Sequence, residues 1–327
     1  MGYWWDFSPF ELDKNRFSMH NARMSHAQHA QHPGMCFIRA YAKINLTLDV
    51  LGRRADGYHE LRTVMQAIDL YDTLCLVESM DGSVHIVCDR PELNDSGNLA
   101  VRAAQLVRQR LDIRQGLVLE LHKRIPMAAG LGGGSSDAAA VLLALQKWWR
   151  LPLSAAELLE MAADLGSDVP FFLSGGLALC EGRGERVTPL APRWPGSMRW
   201  LVLVKPAIAV STAAVFGNLP ASDYSDGSSS RALCSTLEEG DELALEALHN
   251  SLERSVLERY PEVARARNEL LKAGASLVRL SGSGPTLFAP FSELREAIKV
   301  QQEMLLRGYE VYLSRAIYPT TGDICQF

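Results

Sequence analysis

Beyond residue 36 the chain falls into short apolar periods. Ile44, Leu46, Leu48 and Val50 alternate with Asn45, Thr47 and Asp49, the period of two that marks a half-buried strand. The polar segment from Arg53 to His59, with Asp56-Gly57 at its turn, closes that strand. Strands are predicted at 74–78 and 84–88, and a helix over 98–111 with Leu99, Ala103, Leu106 and Leu111 near one face. A strand at 117–122 leads into a glycine-rich loop. The alanine-rich run over 138–145 reads as a buried helix ending near Arg150-Leu151-Pro152. Ser154 and Glu157 form a capping-box signature for the next helix, which breaks at Leu165-Gly166.

Further along, Gly175-Gly176 opens a strand and 193–197 is a weak boundary. A strand at 200–205 and a helix at 212–216 follow. The serine-rich segment 222–230 reads as a mobile loop. The remainder reads as a helix over 242–257, a helix with Pro261 in its first turn, a strand at 276–280, a glycine turn, a strand at 286–289, a helix and a strand at 310–317. Strands and helices mix without strict βαβ alternation, so the predicted class is α+β and not a dinucleotide-binding sheet. No internal repeat of solenoid length is present.

The most informative stretch is Pro126-Met127-Ala128-Ala129-Gly130-Leu131-Gly132-Gly133-Gly134-Ser135-Ser136-Asp137. Its glycines permit positive φ and close approach of a ligand to the main chain. A glycine loop running into a helix N-terminus aims free N–H groups and a partial positive charge at one point, a geometry that binds phosphate. Ser135 and Ser136 can add hydroxyl donors to a phosphate, or oxygen ligands to its Mg²⁺. No Lys-Ser or Lys-Thr follows the last glycine, so this is not a Walker loop. Ser135 occupies the place where a dinucleotide fingerprint counted from Gly130 needs glycine. The plain alternative is a turn that lets a helix pack tightly.

Composition narrows the classes. The 327 residues are 47% hydrophobic and 22% charged, with a net charge of −5 and scattered basic residues. This suits a globular protein and argues against a nucleic-acid surface. No apolar run reaches membrane-spanning length. The six cysteines are far apart without a C-x-x-C pair, the pattern of buried free thiols in a reducing compartment. Residues 1–35 lack periodicity and hold a histidine-rich piece in which His26, His29 and His32 are three apart. These could bind a metal. A loose extension, an upstream translation start or a cloning remnant explains the segment more simply, and neither a signal nor a transit peptide fits.

A phosphate loop needs an acceptor and a group to activate it. Lys43 and Asn45 share one side of the first strand, although a lone lysine there reads equally as a snorkelling edge residue. Asp168, between Gly166 and Pro170, is either a helix cap or a functional carboxylate. Ser281-Gly282-Ser283-Gly284-Pro285 is a second glycine turn that on its own reads as a hairpin.

Taken in order, the lysine strand, G-L-G-G-G-S-S-D, G-S-D-V-P and S-G-S-G-P resemble the GHMP kinases over about 37–317. The closer resemblance rests on Ala42-Lys43-Ile44-Asn45 and on Gly52-Arg53-Arg54-Ala55-Asp56-Gly57-Tyr58-His59. It is to members that phosphorylate a cytidyl substrate. The resemblance implies a two-domain fold with the active-site cleft between the domains: an N-terminal ATP-binding domain over 36–190 and a C-terminal domain over 191–327. It implies ATP-dependent phosphorylation of the 2-hydroxyl of 4-diphosphocytidyl-2-C-methyl-D-erythritol, a step in making isoprenoid precursors. Asp168 would be the general base, with Lys43 beside it holding it ionised. The segment from Pro126 to Ser136 would cradle the phosphates of Mg²⁺-ATP, and Asn98 lies in the adenine-side segment. Tyr58, His59 and Phe216 would take the cytosine, with Thr212 and Asn45 nearby; simple helix packing is the plain alternative for Phe216. Asp137 stands where some members have asparagine, with little consequence expected. The expected setting is a cytoplasmic monomer or weak homodimer acting on small molecules, with no nucleic-acid or membrane partner.

Two other readings compete. Another GHMP small-molecule kinase would lack the Tyr58-His59 loop, having no cytosine to read. A catalytically silent nucleotide sensor would lack Lys43 or Asp168, and both are present.

Overall fold

The structure, a computed structural model, describes residues 34–191, 194–239, 245–318 and, for the backbone, 325–326. The extension predicted over 1–35, with His26, His29 and His32, lies up to residue 33 outside the described residues. Strand β1 (Met35–Arg53) pairs antiparallel with β2 (His59–Ser79) through the turn predicted at Asp56-Gly57. Then come β3 (Val84–Cys88), helix α1 (Leu99–Leu111), β4 (Gly116–His122), α2 (Gly133–Trp148), α3 (Ala155–Leu165), α4 (Val169–Ser174), β5 (Leu177–Gly182) and β6 (Arg186–Pro189). The second part holds β7 (Trp200–Lys205), α5 (Thr212–Gly217), α6 (Ser228–Glu239), β8 (His249–Asn250), α7 (Glu253–Arg259), α8 (Pro261–Ala273), β9 (Arg279–Leu280), β10 (Leu287–Phe291), α9 (Leu294–Leu306), β11 (Glu310–Ser314) and β12 (Cys325–Gln326).

Two sheets organise these elements. The larger runs β12-β1-β2-β4-β3, with β5 and β6 beyond β2 and β8 parallel to β1; the smaller is an antiparallel β11-β7-β10-β9. The alternation and capping signals hold locally. Asn98 caps α1 by accepting the Ala100 N–H, and Ser154 and Glu157 close a reciprocal capping box on α3. Among the described residues no helix is long and apolar enough to cross a membrane.

Among the described residues three apolar cores form, and β1 contributes to each. Ile38 and Ala40 pack with α1–α4, Ile44 and Leu46 pack between the sheets, and Leu48 and Val50 pack with β7, α7 and α8. Register shifts at Tyr41/Ala42 and Asn45/Thr47 accompany these handovers. The opposite row differs from the pattern's prediction. Lys43, Asn45, Thr47 and Asp49 do not face water: they are 4%, 2%, 0% and 0% exposed, so β1 is buried on both faces.

That polar burial explains two further departures. Residues 228–230 are not loop, because they start α6 over Asp49. The Asp49 carboxylate accepts the Ser230 N–H at 2.8 Å, the Ser225 hydroxyl at 2.7 Å and the Ser230 hydroxyl. A buried anion at a helix N-terminus satisfies its free donors and favours its dipole. The helix predicted over 242–257 is replaced within its described part by a short turn, β8 and α7. Ser251 N–H donates to the Leu48 carbonyl, and the Asn250 amide donates to the carbonyls of Leu280 and Gly282. These tertiary bonds draw the chain against β1 and away from helix. The strand predicted at 276–280 is confined to β9, and α4 and β6 carried no sequence signal.

Replacing Asp49 by alanine removes three hydrogen bonds to a fully buried carboxylate. The expected loss of stability is about 2–4 kcal/mol, larger than for a surface aspartate. Urea unfolding of Asp49→Ala beside Asp164→Ala checks this, since Asp164 is exposed and forms its ion pair with Arg110 at the surface.

Candidate active site

The glycine loop is built by contacts that exclude side chains. Gly130 (φ +72°) lies so close to the second glycine turn that a Cβ would sit 2.2 Å from the Ser281 carbonyl oxygen. Gly132 (φ +73°) would place a Cβ 2.7 Å from the Phe172 ring and 3.2 Å from Cγ of Lys43. The predicted hairpin at Ser281-Gly282-Ser283 therefore packs directly on the predicted phosphate loop, and both lie over Lys43. Helix α2 starts at Gly133 with no side chain capping it. Its first intrahelical bond runs from Ser136 N–H to the Gly132 carbonyl, which leaves the N–H groups of Gly133, Gly134 and Ser135 without intrahelical acceptors.

These groups open on a cleft of about 900 Å³ that the whole segment 126–135 lines. Lys43 reaches its floor from β1, donating to Asn45 Oδ1 at 2.7 Å with its Nζ 3.5 Å from Asp168 Oδ2. Asn45 donates onward to the Thr63 hydroxyl at 2.8 Å. Asp168 begins α4 but makes no capping bond from its side chain, and it is about one-third exposed in the cleft. Of the two roles its sequence context left open, capping is thus not the one it fills.

The far end of the cleft is aromatic and basic. His59 lies 5.3 Å from the Phe216 ring, centroid to centroid, and 5.9 Å from that of Tyr224. Burial, with Arg53 nearby, holds the His59 pKa below its ordinary value, so the ring is neutral near pH 7. Tyr58 lines the same end, exposed, with the Arg183 guanidinium 4.9 Å from its ring centroid. Thr212 bonds the Ser283 hydroxyl at 2.8 Å and also lines the cleft. Phe216 lines the cleft and also packs on the second-sheet core.

Two predicted residues stand elsewhere. Ser136 is buried, and its hydroxyl donates to the Tyr41 carbonyl at 2.7 Å rather than into the cleft. The Asn98 amide is occupied by the Ala100 N–H and the Leu93 carbonyl, and the cleft is lined by its neighbour Leu99.

Sequence reasoning missed several residues that belong here. Gly282 and Ser283 line the cleft and lay within the second glycine turn, so their signal was available. Lys123 also lines it, beneath Gly133, and is gripped by Asp72 and by Asp137 at 2.8 Å. Burial pushes the Asp137 carboxyl up to about 7, against the pull of Lys123 and with the like charge of Asp72 adding to it. Burial also opposes the charge on Lys123, but Asp137 and Asp72 outweigh it and hold the lysine above its ordinary range. Asp137 is therefore a member of a buried charge cluster under the loop. No local pattern links positions 72, 123 and 137.

Comparison with known proteins adds independent findings. Residues 98–176 match the GHMP kinases N-terminal domain and residues 232–310 the GHMP kinases C-terminal domain. The chain is 43% identical over 282 residues to a 4-diphosphocytidyl-2-C-methyl-D-erythritol kinase of Pelotomaculum thermopropionicum, covering 86% of this chain and 97% of that one. It is 45% identical over 254 residues to the enzyme of that name in Geobacillus thermodenitrificans, covering 77% and 86%. A crystal structure of 4-(cytidine 5'-diphospho)-2C-methyl-D-erythritol kinase superposes with a TM-score of 0.72 at 35% identity, over 86% of this chain and 98% of that one. A homoserine kinase from Cytophaga hutchinsonii shares the fold, with a TM-score of 0.64 at 22% identity over 90% and 98% of the two chains. With its glycine loop, lysine–aspartate pair and aromatic end held on an α+β frame, the chain belongs to the GHMP kinases, and within them to the family of 4-diphosphocytidyl-2-C-methyl-D-erythritol kinases.

Proposed function

We propose that the cleft transfers the γ-phosphoryl group of ATP to the 2-hydroxyl of 4-diphosphocytidyl-2-C-methyl-D-erythritol, giving the 2-phosphate and ADP. The observation that carries this reading is the Asp168 carboxylate, free of capping duty and 3.5 Å from Lys43, between a helix-borne phosphate loop and an aromatic pocket.

Asp168 accepts the proton of the 2-hydroxyl as its oxygen bonds to the γ-phosphorus. The bond from that phosphorus to the β,γ-bridging oxygen breaks, and its electron pair leaves with ADP. Lys43, fixed by Asn45, orients Asp168 and the hydroxyl. The free N–H groups of Gly133, Gly134 and Ser135 hold phosphate oxygens at the positive end of α2. Ser136 supports the loop from beneath through Tyr41. Tyr58 and Phe216 stack the cytosine, and neutral His59, able both to donate and to accept, reads its edge.

Mg²⁺ fits as an ion carried on the ATP phosphates. Ser135 and Asp168 line the cleft as oxygen donors, and among the described residues no cluster of three His, Cys, Asp or Glu side chains forms a cage. Bound there it supplies charge neutralisation, and one or two protein oxygens suffice for it. The division at 190/191, a monomer or weak homodimer, and a cytoplasmic setting complete the reading. The last is supported by ATP use and by the free thiols of Cys36, Cys75, Cys88 and Cys180, all buried.

Asp168→Asn is expected to fold and to bind ATP while turnover falls about 10²–10⁴-fold; steady-state kinetics with an ATP titration checks it, and turnover near the parent rate refutes the assignment. Phe216→Ala is expected to raise KM for the cytidyl substrate about five- to a hundredfold, the worth of a base stack, and to leave KM for ATP unchanged. If Phe216 serves only the core, the variant loses melting temperature with no selective change in either KM.

A further inference from the structure

The proposed reaction requires one molecule to span the cleft, with its 2-hydroxyl at Asp168 and its cytosine at Tyr58. A diphosphate joins those ends, and the reading above assigns no side chain to it.

The β5–β6 turn lies between the two ends. A Cβ on Gly184 (φ +114°) would stand 3.7 Å from Asp168 Oδ1 and 3.5 Å from the Ser167 carbonyl oxygen, so the turn packs on the catalytic carboxylate. The adjacent residue, Arg183, lines the cleft with its guanidinium 4.9 Å from the Tyr58 ring centroid. One short turn thus touches both the base and the proposed cytosine platform.

Arg53 also lines the cleft, beside His59, and has no ion pair among the described residues, but Arg183 is the arginine that rests on the Tyr58 ring; the other arginines around it are held by carboxylates. Arg54 pairs with Asp56 and Glu60, Arg62 with Glu181 and Arg186 with Glu60. Arg183 has one ion pair among the described residues, to Glu185 at 3.9 Å, beyond hydrogen-bond reach; Glu185 instead accepts the Arg183 backbone N–H at 2.6 Å. Asp56 is within electrostatic range but is occupied by Arg54 and by the Tyr58 N–H. A guanidinium resting on an aromatic ring keeps its N–H edges available, and their fork matches phosphate oxygens.

Resting on the function proposed above, we infer that Arg183 is a substrate-binding residue whose guanidinium takes the diphosphate linking cytidine to the methylerythritol. Its contact with Tyr58 places that charge one step from the cytosine stack.

The test compares cytidine with CDP, which differ by the diphosphate, in calorimetric titrations of the parent, Arg183→Gln and Arg183→Lys. The expected result is CDP binding about tenfold to a hundredfold weaker in Arg183→Gln, with cytidine affinity within about twofold of the parent and CDP affinity largely restored by lysine. Equal losses for both ligands would mean that Arg183 acts only by supporting Tyr58, and would overturn the inference. Unchanged CDP affinity in Arg183→Gln would overturn it too. Either result leaves the kinase reading standing if the parent binds both ligands. A parent that binds neither overturns that reading, and this inference with it. Melting temperatures of the variants separate ligand effects from misfolding.

Discussion

Four polar side chains on one face of a buried strand set the terms for the rest of this structure. Lys43, Asn45, Thr47 and Asp49 are inside the protein, and each buried polar group costs free energy until it is hydrogen-bonded. Their partners come from distant parts of the chain: Asp168 from the start of α4, Thr63 from β2, and Ser225 and Ser230 from the approach to α6 and its first turn. Satisfying that row fixes where those elements sit. The same row ends at the cleft floor, so one set of hydrogen bonds both folds the protein and aims its lysine. An ammonium with a fixed hydrogen bond to Asn45 is preorganised, and preorganised charge is what phosphoryl transfer requires of a protein.

The two glycine turns add a steric condition to this electrostatic one. At Gly130 and Gly132 a Cβ would collide with backbone or with an aromatic ring, and a Cβ on Gly282 would stand 3.2 Å from the Lys43 ammonium. The loops close over the lysine because both are reduced to main chain there. This brings the N-terminus of α2, the Lys43 cation and the Asp168 carboxylate into one wall of the cleft, two positive features around one anion. An anionic triphosphate at that wall meets backbone donors without having to displace a side chain. Beneath it, Lys123 with Asp72 and Asp137 supports the loop from the core side.

Local chemistry was legible in the sequence and long-range chemistry was not. The glycine loop, the Ser154–Glu157 capping box, the Asn98 start of α1 and the Pro261 start of α8 are written in a few adjacent residues, and each lies where the pattern puts it. Periodicity identified β1 but gave its polar face to solvent, because alternation cannot say what covers a face. The serine-rich start of α6 read as loop for the related reason that its cap, Asp49, is 179 residues before Ser228. Asn250 and Ser251 likewise broke a predicted helix through bonds to other segments. Motif order pointed to Lys43, Asp168 and the loop, which the structure brings to one cleft, whereas Ser136 and Asn98 carry the expected residue types with their polar groups turned to structural bonds. Arg183 carried no motif signal, and only the fold brings it to Tyr58.

If one cleft joins a phosphate loop and a base to a cytosine pocket, the protein must choose its substrate by the cytidyl group. ADP release can be followed in a coupled assay with the purified protein, Mg²⁺-ATP and, in turn, 4-diphosphocytidyl-2-C-methyl-D-erythritol, homoserine and mevalonate. Sustained ADP release is expected with the cytidyl substrate and background rates with the other two. Comparable turnover of homoserine or mevalonate, or no turnover of the cytidyl compound, would contradict it.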